Sequence, residues 1–267
     1  MPNFIHIDTL DDPRVEGYRH IAAPARLLAQ KLFVAEGRLV VRRLLDLQQW
    51  PIDSILLTGP AADNLSDVLH ETNAPIYLVE QALMNQIAGF NIHRGCLALV
   101  RRAATPTLDR IVAGPLARVL VLEAVNNPDN VGGMFRSAAA FGIDLVVLGP
   151  NCGDPLYRKA IRTSMAATLS IPFVIATQWP GAIKELRADG FTVVALTPNR
   201  MAAPLEEVFP HSKLALLVGS EGSGLTPEAL RAATLRIRIP TTPDVDSLNV
   251  TTAASIAMYH CFAERRS

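Results

Sequence analysis

The sequence predicts an α/β protein: a larger C-terminal domain on a parallel sheet, preceded by a smaller α/β domain. Three observations predict it. After residue 117, short runs apolar on both faces alternate with helix-like segments, the pattern of parallel strands joined by helical crossovers. Most polar and glycine-rich stretches there follow strand ends, where open α/β sheets place their ligands. Before residue 105, strands and an amphipathic helix recur over a shorter span of about 70 residues.

In the first domain, taken as residues 1–105, FVAEGRLVVRRLLDL reads as a short strand followed by an amphipathic helix. DSILLTG, APIYLVE and GCLALVRR follow as strands, with helix-like AADNLSDVLHE between the first two. RRAATPTLDRIVAGP loses the strand pattern to Pro, Ala and Thr, so residues 106–117 are expected to form a linker. In residues 118–267 the expected strands are RVLVLEAV, DLVVLG, IPFVIA, FTVVAL, KLALLVG and LRIRIP, with helices on both sides of their sheet.

Composition bounds the function. The 25 basic and 25 acidic residues cancel. Divided near residue 105, they fall as 10 basic and 11 acidic, then 15 and 14. Neither half has the basic excess that advertises a nucleic-acid partner, so any such contact needs a local patch. The chain is 49% hydrophobic with mean hydropathy +0.23. No uninterrupted apolar run approaches the roughly 18 residues of a membrane span, so the apolar excess points to surface hidden in an oligomer. Cys96, Cys152 and Cys261 are odd in number and lack C-x-x-C spacing. They form neither a disulfide framework nor a metal site, and read as packing residues in a reducing cytoplasm. MPNFIHIDTLDDPR carries early acids and no long apolar core, unlike a secretory signal.

Three segments carry chemistry. NNPDNVGGMFRSAAAFG, residues 126–142, opens with an Asn-Pro-Asp turn and runs into a helix. Asn130 is expected to cap a helix starting at Val131, and Gly142 stands where a C-cap glycine belongs. At about 100° per residue, Val131, Phe135, Ala138 and Gly142 form a stripe facing the sheet. Gly133, Arg136, Ser137 and Ala140 lie opposite, where small residues let a second backbone approach. Taken alone, Arg136 reads equally as an exposed charge on a solvated helix.

LLVGSEGSGLTPEAL, residues 216–230, is a buried strand entering Gly219, Gly222 and Gly224, with a helix from Pro227 capped by Thr226. Glycines at a strand end let a backbone lie close to a ligand. Their spacing is not the dinucleotide fingerprint, and no P-loop Lys-Ser/Thr follows. Glu221 would repel phosphate, so a neutral or cationic ligand suits the loop better. In RIRIPTTPDVDSLNVTTAASIAMYH, residues 236–260, a strand and a proline-broken loop lead to Ser247-Leu248-Asn249, which open an apolar helix. Capping alone would explain a Ser or Asn there. Finally, DPLYRKAIRTS places Arg158 and Arg162 on one helical face beside Lys159. That patch reads as a solvated face, or as a phosphate contact whose RNA binding weakens with salt.

Together and in this order, the three segments resemble the SpoU (TrmH-like) family of RNA ribose methyltransferases, in the SPOUT superfamily. Asn130, Gly132 and Arg136 match its Asn-x-Gly-x-x-x-Arg motif, and Gly219, Glu221 and Gly224 its Gly-x-Glu-x-x-Gly. Ile239, Pro240, Ser247, Leu248, Asn249 and Val250 match its Ile-Pro…Ser-Leu-Asn-Val. RTSMAATLSIPF resembles the family's linking segment, with Ala166 where a glycine is usual. The resemblance covers residues 118–262. The first half resembles the RNA substrate-binding domain, of ribosomal-protein L30e-like fold, often joined to it. Thr241 and Pro243 depart from the usual Met and Gly, and a proline removes an N–H donor.

The resemblance implies S-adenosylmethionine as methyl donor, tRNA or rRNA as substrate, a homodimer, and a deep trefoil knot, which general topology rules alone would exclude. The methyl would pass to a ribose 2′-OH, the group that tells RNA from DNA. The resemblance assigns Arg136 to that hydroxyl, Asn130 and Ser247 to positioning, and Asn249 to the active-site wall. A guanidinium is a poor general base, and binding phosphate or a developing alkoxide is easier for it. Leu196, Thr197, Gly219, Gly222, Ile239 and Leu248 are expected to line the cofactor pocket, with Glu221 holding loop geometry. The face around Arg136 is expected at or near the subunit interface.

Two rivals remain at this stage. A nucleotide-dependent dehydrogenase is opposed by the missing G-x-G-x-x-G and by the acid in the loop. A non-catalytic RNA-binding module that kept the fold is favoured only by Pro243. Fold analogy does not reach the identity of the RNA or of the nucleotide.

Overall fold

A computed structural model describes residues 3–104, 106–108, 116–208, 211–242, 244 and 247–262. They form two compact units. The first comprises the described residues of Met1–Ala104 with Leu156–Leu169, and the second those of Thr105–Pro155 with Ser170–Ser267.

The first unit carries a five-stranded sheet of β1 (Phe4–His6), β2 (Leu32–Glu36), β3 (Ile52–Leu57), β4 (Ile76–Leu78) and β5 (Cys96–Arg101), in the order β1-β4-β3-β5-β2. β1, β4 and β3 are parallel, and β5 runs antiparallel to β3 and β2. Its helices are α1 (Pro24–Ala29), α2 (Arg38–Leu47), α3 (Gly59–Leu65) and α4 (Gln81–Ala88). α2 buries Val40, Val41, Leu44 and Leu45, the stripe expected of an amphipathic helix. In the core Tyr18 is fully buried, and its hydroxyl meets Ser54 Oγ at 2.8 Å, which satisfies both groups.

Residues 156–169 depart from the expected boundary, for they pack with this unit. They hold α6 (Arg158–Thr163) and the start of α7 (Ala167–Ser170). Arg158 forms an ion pair with Glu36 at the end of β2 and lies over the Phe90 ring, 4.5 Å from its centroid. Gln49 Nε2 and Trp50 Nε1 both donate to the Leu169 carbonyl, at 2.7 and 2.9 Å. Glu36 is buried, and a buried carboxylate needs a partner. That requirement is tertiary and leaves no periodic trace.

The second unit carries β6 (Arg118–Leu122), β7 (Leu145–Leu148), β8 (Phe173–Ile175), β9 (Thr192–Leu196), β10 (Ala203–Pro204), β11 (Leu214–Val218) and β12 (Leu235–Arg238). The order is β10-β12-β9-β11-β6-β7-β8, and every pairing is parallel, as the sequence predicts. Val119, Val121, Val147, Val193 and Leu217 join a core with Ile183 and Leu186 of α8 (Gly181–Ala188) and Ala229 of α9 (Pro227–Ala232). The alternate residues Leu120, Leu122, Val146, Val194 and Leu216 are equally buried, so the sheet is covered on both faces. Each such side chain contributes about 1.5–3 kcal/mol. Leu108, expected in the linker, packs into this core instead. Residues 105 and 109–115 lie outside the described residues.

α5 (Pro128–Phe141) and α10 (Val250–Phe262) position the motifs. α5 buries Val131, Phe135 and Ala138 and stops at Gly142 in the left-handed conformation, φ 68°. Its start differs from the expectation. The N-cap is Asn127, whose side chain accepts from Asp129 N, and Pro128 follows at N1. Asn130 therefore sits inside the first turn. The small-residue side is met by the same chain: a Cβ on Gly133 would lie 2.7 Å from Thr251 Cγ2, and Ser137 Oγ meets Ser255 Oγ at 2.7 Å. The backbone that approaches this part of α5 is α10.

Candidate functional site

The loops that leave the carboxyl ends of β6, β7, β9, β11 and β12 gather the motif residues. Parallel sheets bind ligands at this edge. After β11 the chain doubles back tightly. Ser220 N donates to Gly224 O at 3.3 Å, and a Cβ on Gly219 would sit 2.3 Å from the Gly224 carbonyl carbon. Only glycine fits there. The loop ends at Thr226, which caps α9 by accepting from Ala229 N, as predicted.

A cavity of about 560 Å³ opens along this loop. All seven expected cofactor residues line it: Leu196, Thr197, Gly219, Glu221, Gly222, Ile239 and Leu248. Ser247 and Thr241 line it too. Pro243, the other departure in the third motif, lies outside the described residues. No Lys or Arg occurs among the described residues lining the cavity, in keeping with a neutral or cationic ligand rather than a phosphate.

At its edge one residue from each motif meets the others. Asn249 Nδ2 donates to Glu221 Oε1 and lies 3.4 Å from Asn130 Oδ1. Thr251 Oγ1 donates to the same Asn130 oxygen at 3.2 Å. Asn249 Oδ1 accepts from Thr251 N and Thr252 N at 3.0 and 3.2 Å, so it also caps α10. Capping explains the acceptor half of Asn249 and leaves its donor half for the other motifs. Asn130 is buried and holds the two helices together.

Beside this junction a second cavity of about 480 Å³ is bounded by Ala124–Asn127, Asn130, Asn151, Ser220–Ser223 and Val250. Glu221 borders both cavities.

Arg136 does not join the junction. It is exposed, lines neither cavity, and makes no hydrogen bond or ion pair with a described residue. The basic patch also needs correcting. Arg158 is committed to Glu36 and Phe90, and Arg162 Nη1 lies 3.6 Å from the same carboxylate. Two of its three cations thus neutralise a buried acid, and Lys159 has a contact of its own. Ala166, where the family usually has glycine, keeps the left-handed backbone that glycine favours, φ 67°.

Sequence reasoning missed Glu123. Only 1% exposed, it accepts from Trp179 Nε1 at 2.5 Å, Thr226 Oγ1 at 2.7 Å and Thr226 N at 2.9 Å. It thereby ties the start of the 124–127 loop to the end of the 219–225 loop. An acid inside the apolar run RVLVLEAV was the available signal.

Comparison with known proteins agrees with this arrangement. The SpoU rRNA Methylase family matches residues 117–259. A Mycobacterium bovis protein named as an uncharacterised tRNA/rRNA methyltransferase is 41% identical over 256 residues, 93% of this chain and 88% of that one. The 23S rRNA (guanosine(2553)-2′-O)-methyltransferase of Bacillus subtilis is 36% identical over 143 residues, 54% of this chain and 57% of that protein. In fold, the AdoMet-bound rRNA methyltransferase of Sinorhizobium meliloti superposes with a TM-score of 0.84 at 24% identity, covering 99% of both chains. With its three motifs joined at one sheet edge, the chain belongs to the SpoU rRNA Methylase family.

Proposed function

We propose that this protein transfers a methyl group from S-adenosylmethionine to a ribose 2′-hydroxyl of tRNA or rRNA. The observation that carries the reading is the junction of Asn130, Glu221 and Asn249 beside a cavity lined by every expected cofactor residue. The Bacillus subtilis relative is named for 2′-O-methylation, and the Sinorhizobium meliloti structure for its bound AdoMet.

The cavity residues fit that cofactor. Leu196, Ile239 and Leu248 offer apolar surface for a flat ring, and the Gly219–Gly222 loop offers backbone polar groups. When bound, S-adenosylmethionine would supply an electrophilic methyl on a positively charged sulfur, a charge that Glu221 tolerates and basic residues would oppose. Asn249 and Asn130 fix the loop and both helices, and that order holds the reacting groups in place. Held geometry contributes up to roughly 7–11 kcal/mol in such reactions. Ser247, on the cavity wall, is assigned to positioning the substrate.

Arg136 needs a partner. Its exposed position beside Ala139 and Ala140 on α5, with exposed Ile256 and Tyr259 on α10, supports a homodimer in which Arg136 serves the substrate phosphate or alkoxide. Light scattering should give twice the 28.9 kDa chain mass, and a monomer at micromolar concentration would remove that role. The trefoil knot and the L30e-like, RNA-binding nature of the first unit belong to the same reading. The non-catalytic alternative predicts a pocket closed by the altered third motif, whereas Thr241 of that motif lines the 560 Å³ cavity, which supports the catalytic reading.

The test is incubation of the protein with methyl-labelled S-adenosylmethionine and bacterial RNA, followed by digestion to nucleosides. Label in a 2′-O-methylnucleoside is expected. Label in a base, or RNA binding without transfer, would overturn the reading.

A further inference from the structure

The second cavity has chemistry of its own. At about 480 Å³ it falls within the roughly 300–1,000 Å³ of small-molecule sites. It shares Ser220–Ser223 and Val250 with the first cavity, so a ligand there would adjoin the cofactor. Among the described residues no Lys, Arg or aromatic side chain lines it, and Glu221 is the single charge. A lining whose one charge is an acid disfavours phosphate, and it points to hydrogen bonding rather than stacking as the means of recognition.

Four carboxamides supply that bonding: Asn126, Asn127, Asn130 and Asn151. Asn130 Oδ1 is spent on Asn249 and Thr251, and Asn127 Oδ1 on the α5 cap. Asn126 and Asn151 are exposed, and their side chains make no hydrogen bond to a described residue. Backbone strain marks the same walls. Ala124 and Asn151 have φ 56° and 58°, a region that side chains bearing a Cβ seldom adopt. Such conformations persist where surroundings enforce them, and they collect at binding sites. Ala124 is pinned by its N–H to the Pro150 carbonyl at 2.9 Å and by buried Glu123 before it.

We infer that this cavity receives the base of the nucleotide whose ribose is methylated, and that Asn126 and Asn151 read its edge. The inference rests on the proposed ribose methylation. A carboxamide presents a donor beside an acceptor and pairs with a base edge offering the same two groups, as Asn pairs with adenine. Such an edge is accessible only in an unpaired or extruded nucleotide. The enzyme is therefore selective for one base in single-stranded RNA.

The test partitions methyl label among the four 2′-O-methylnucleosides after reaction with unmodified bacterial tRNA and rRNA transcripts. Wild type, Asn126→Ala and Asn151→Gly are compared, because glycine keeps the left-handed backbone at position 151 without strain. Wild type is expected to label one nucleoside. Each variant should lower kcat/KM on the order of 10- to 100-fold and spread label to a second base, with affinity for S-adenosylhomocysteine unchanged. Variants that keep the wild-type rate and base preference would overturn the base pocket and leave methyl transfer intact. Variants that lose S-adenosylhomocysteine affinity would show that these residues support the cofactor cavity instead, which also overturns it. Wild type that labels no ribose would remove the underlying reading and the inference with it.

Discussion

Replacing Glu123 with glutamine exchanges one carboxylate oxygen for an NH2 group, in a pocket where all three partners donate to it and two of them are fixed N–H groups. Trp179 Nε1 and Thr226 Oγ1 point at one oxygen, and Thr226 N points at the other. If the amide nitrogen faces Thr226 N, that backbone donor loses its acceptor. If it turns around, Trp179 Nε1 loses its acceptor, while the Thr226 hydroxyl can rotate and accept. Either way one fixed N–H is stranded beside a residue only 1% exposed. A stranded buried donor costs about 1–3 kcal/mol. At roughly 2–4 °C per kcal/mol for a domain of this size, Glu123→Gln should lower the melting temperature by about 2–12 °C. Glu123→Ala strands both N–H groups and should cost about 2–6 kcal/mol. Differential scanning calorimetry of the full chain measures both. A Glu123→Gln transition within about 1 °C of wild type, or an alanine variant more stable than the glutamine one, would refute the reasoning. Because Thr226 closes the loop beside the 560 Å³ cavity, the glutamine variant should also weaken S-adenosylmethionine binding.

Other expectations follow from the same geometry. Arg136→Lys exchanges a planar fork for a point charge; methyl transfer should fall on the order of 100-fold with melting unchanged, and near-normal turnover would remove the arginine from the mechanism. Asn249→Asp keeps the acceptor that caps α10 but loses the donor to Glu221 and Asn130, leaving two carboxylates side by side. Cofactor affinity measured by titration should drop about tenfold, equivalent to 1.4 kcal/mol, and wild-type affinity would contradict the junction's role. Burial pushes the Cys96 thiol up to about 12 and raises that of Cys152 as well. Little thiolate is then present at pH 8, so mass spectrometry should find both unalkylated by iodoacetamide under conditions that modify free cysteine.

β6, β7, β9 and β11 were legible because each is a short Val- and Leu-rich run buried on both faces, a pattern that needs no knowledge of partners; the two-residue β10, Ala203–Pro204, is too short to leave such a pattern. The helix after residue 126 starts three positions before the expected one, at Pro128 rather than Val131. Asn126, Asn127, Asp129 and Asn130 are all capping types, and the deciding clue was Pro128, which favours N1. That the seven expected cofactor residues share one cavity was legible because they come from strand-end loops, most of them with motif spacing. The double role of Asn249 was only half legible: its cap is local, whereas its donor reaches residues far away in the chain. The allegiance of residues 156–169 depends on a buried acid on β2, and Glu123 on donors from two later segments. Neither relation is periodic or local, so neither could be read from the chain alone. The spacing of Arg158 and Arg162 was read correctly as one face; what it could not reveal was that the face meets Glu36.

The central claim is that the cavity between the second and third motifs holds S-adenosylmethionine. Calorimetric titration of the full chain with S-adenosylmethionine, S-adenosylhomocysteine and NAD tests it most directly. Micromolar binding of both adenosyl ligands and none of NAD is the predicted result. Binding of NAD in preference to them, or of neither adenosyl ligand with or without RNA, would contradict the account.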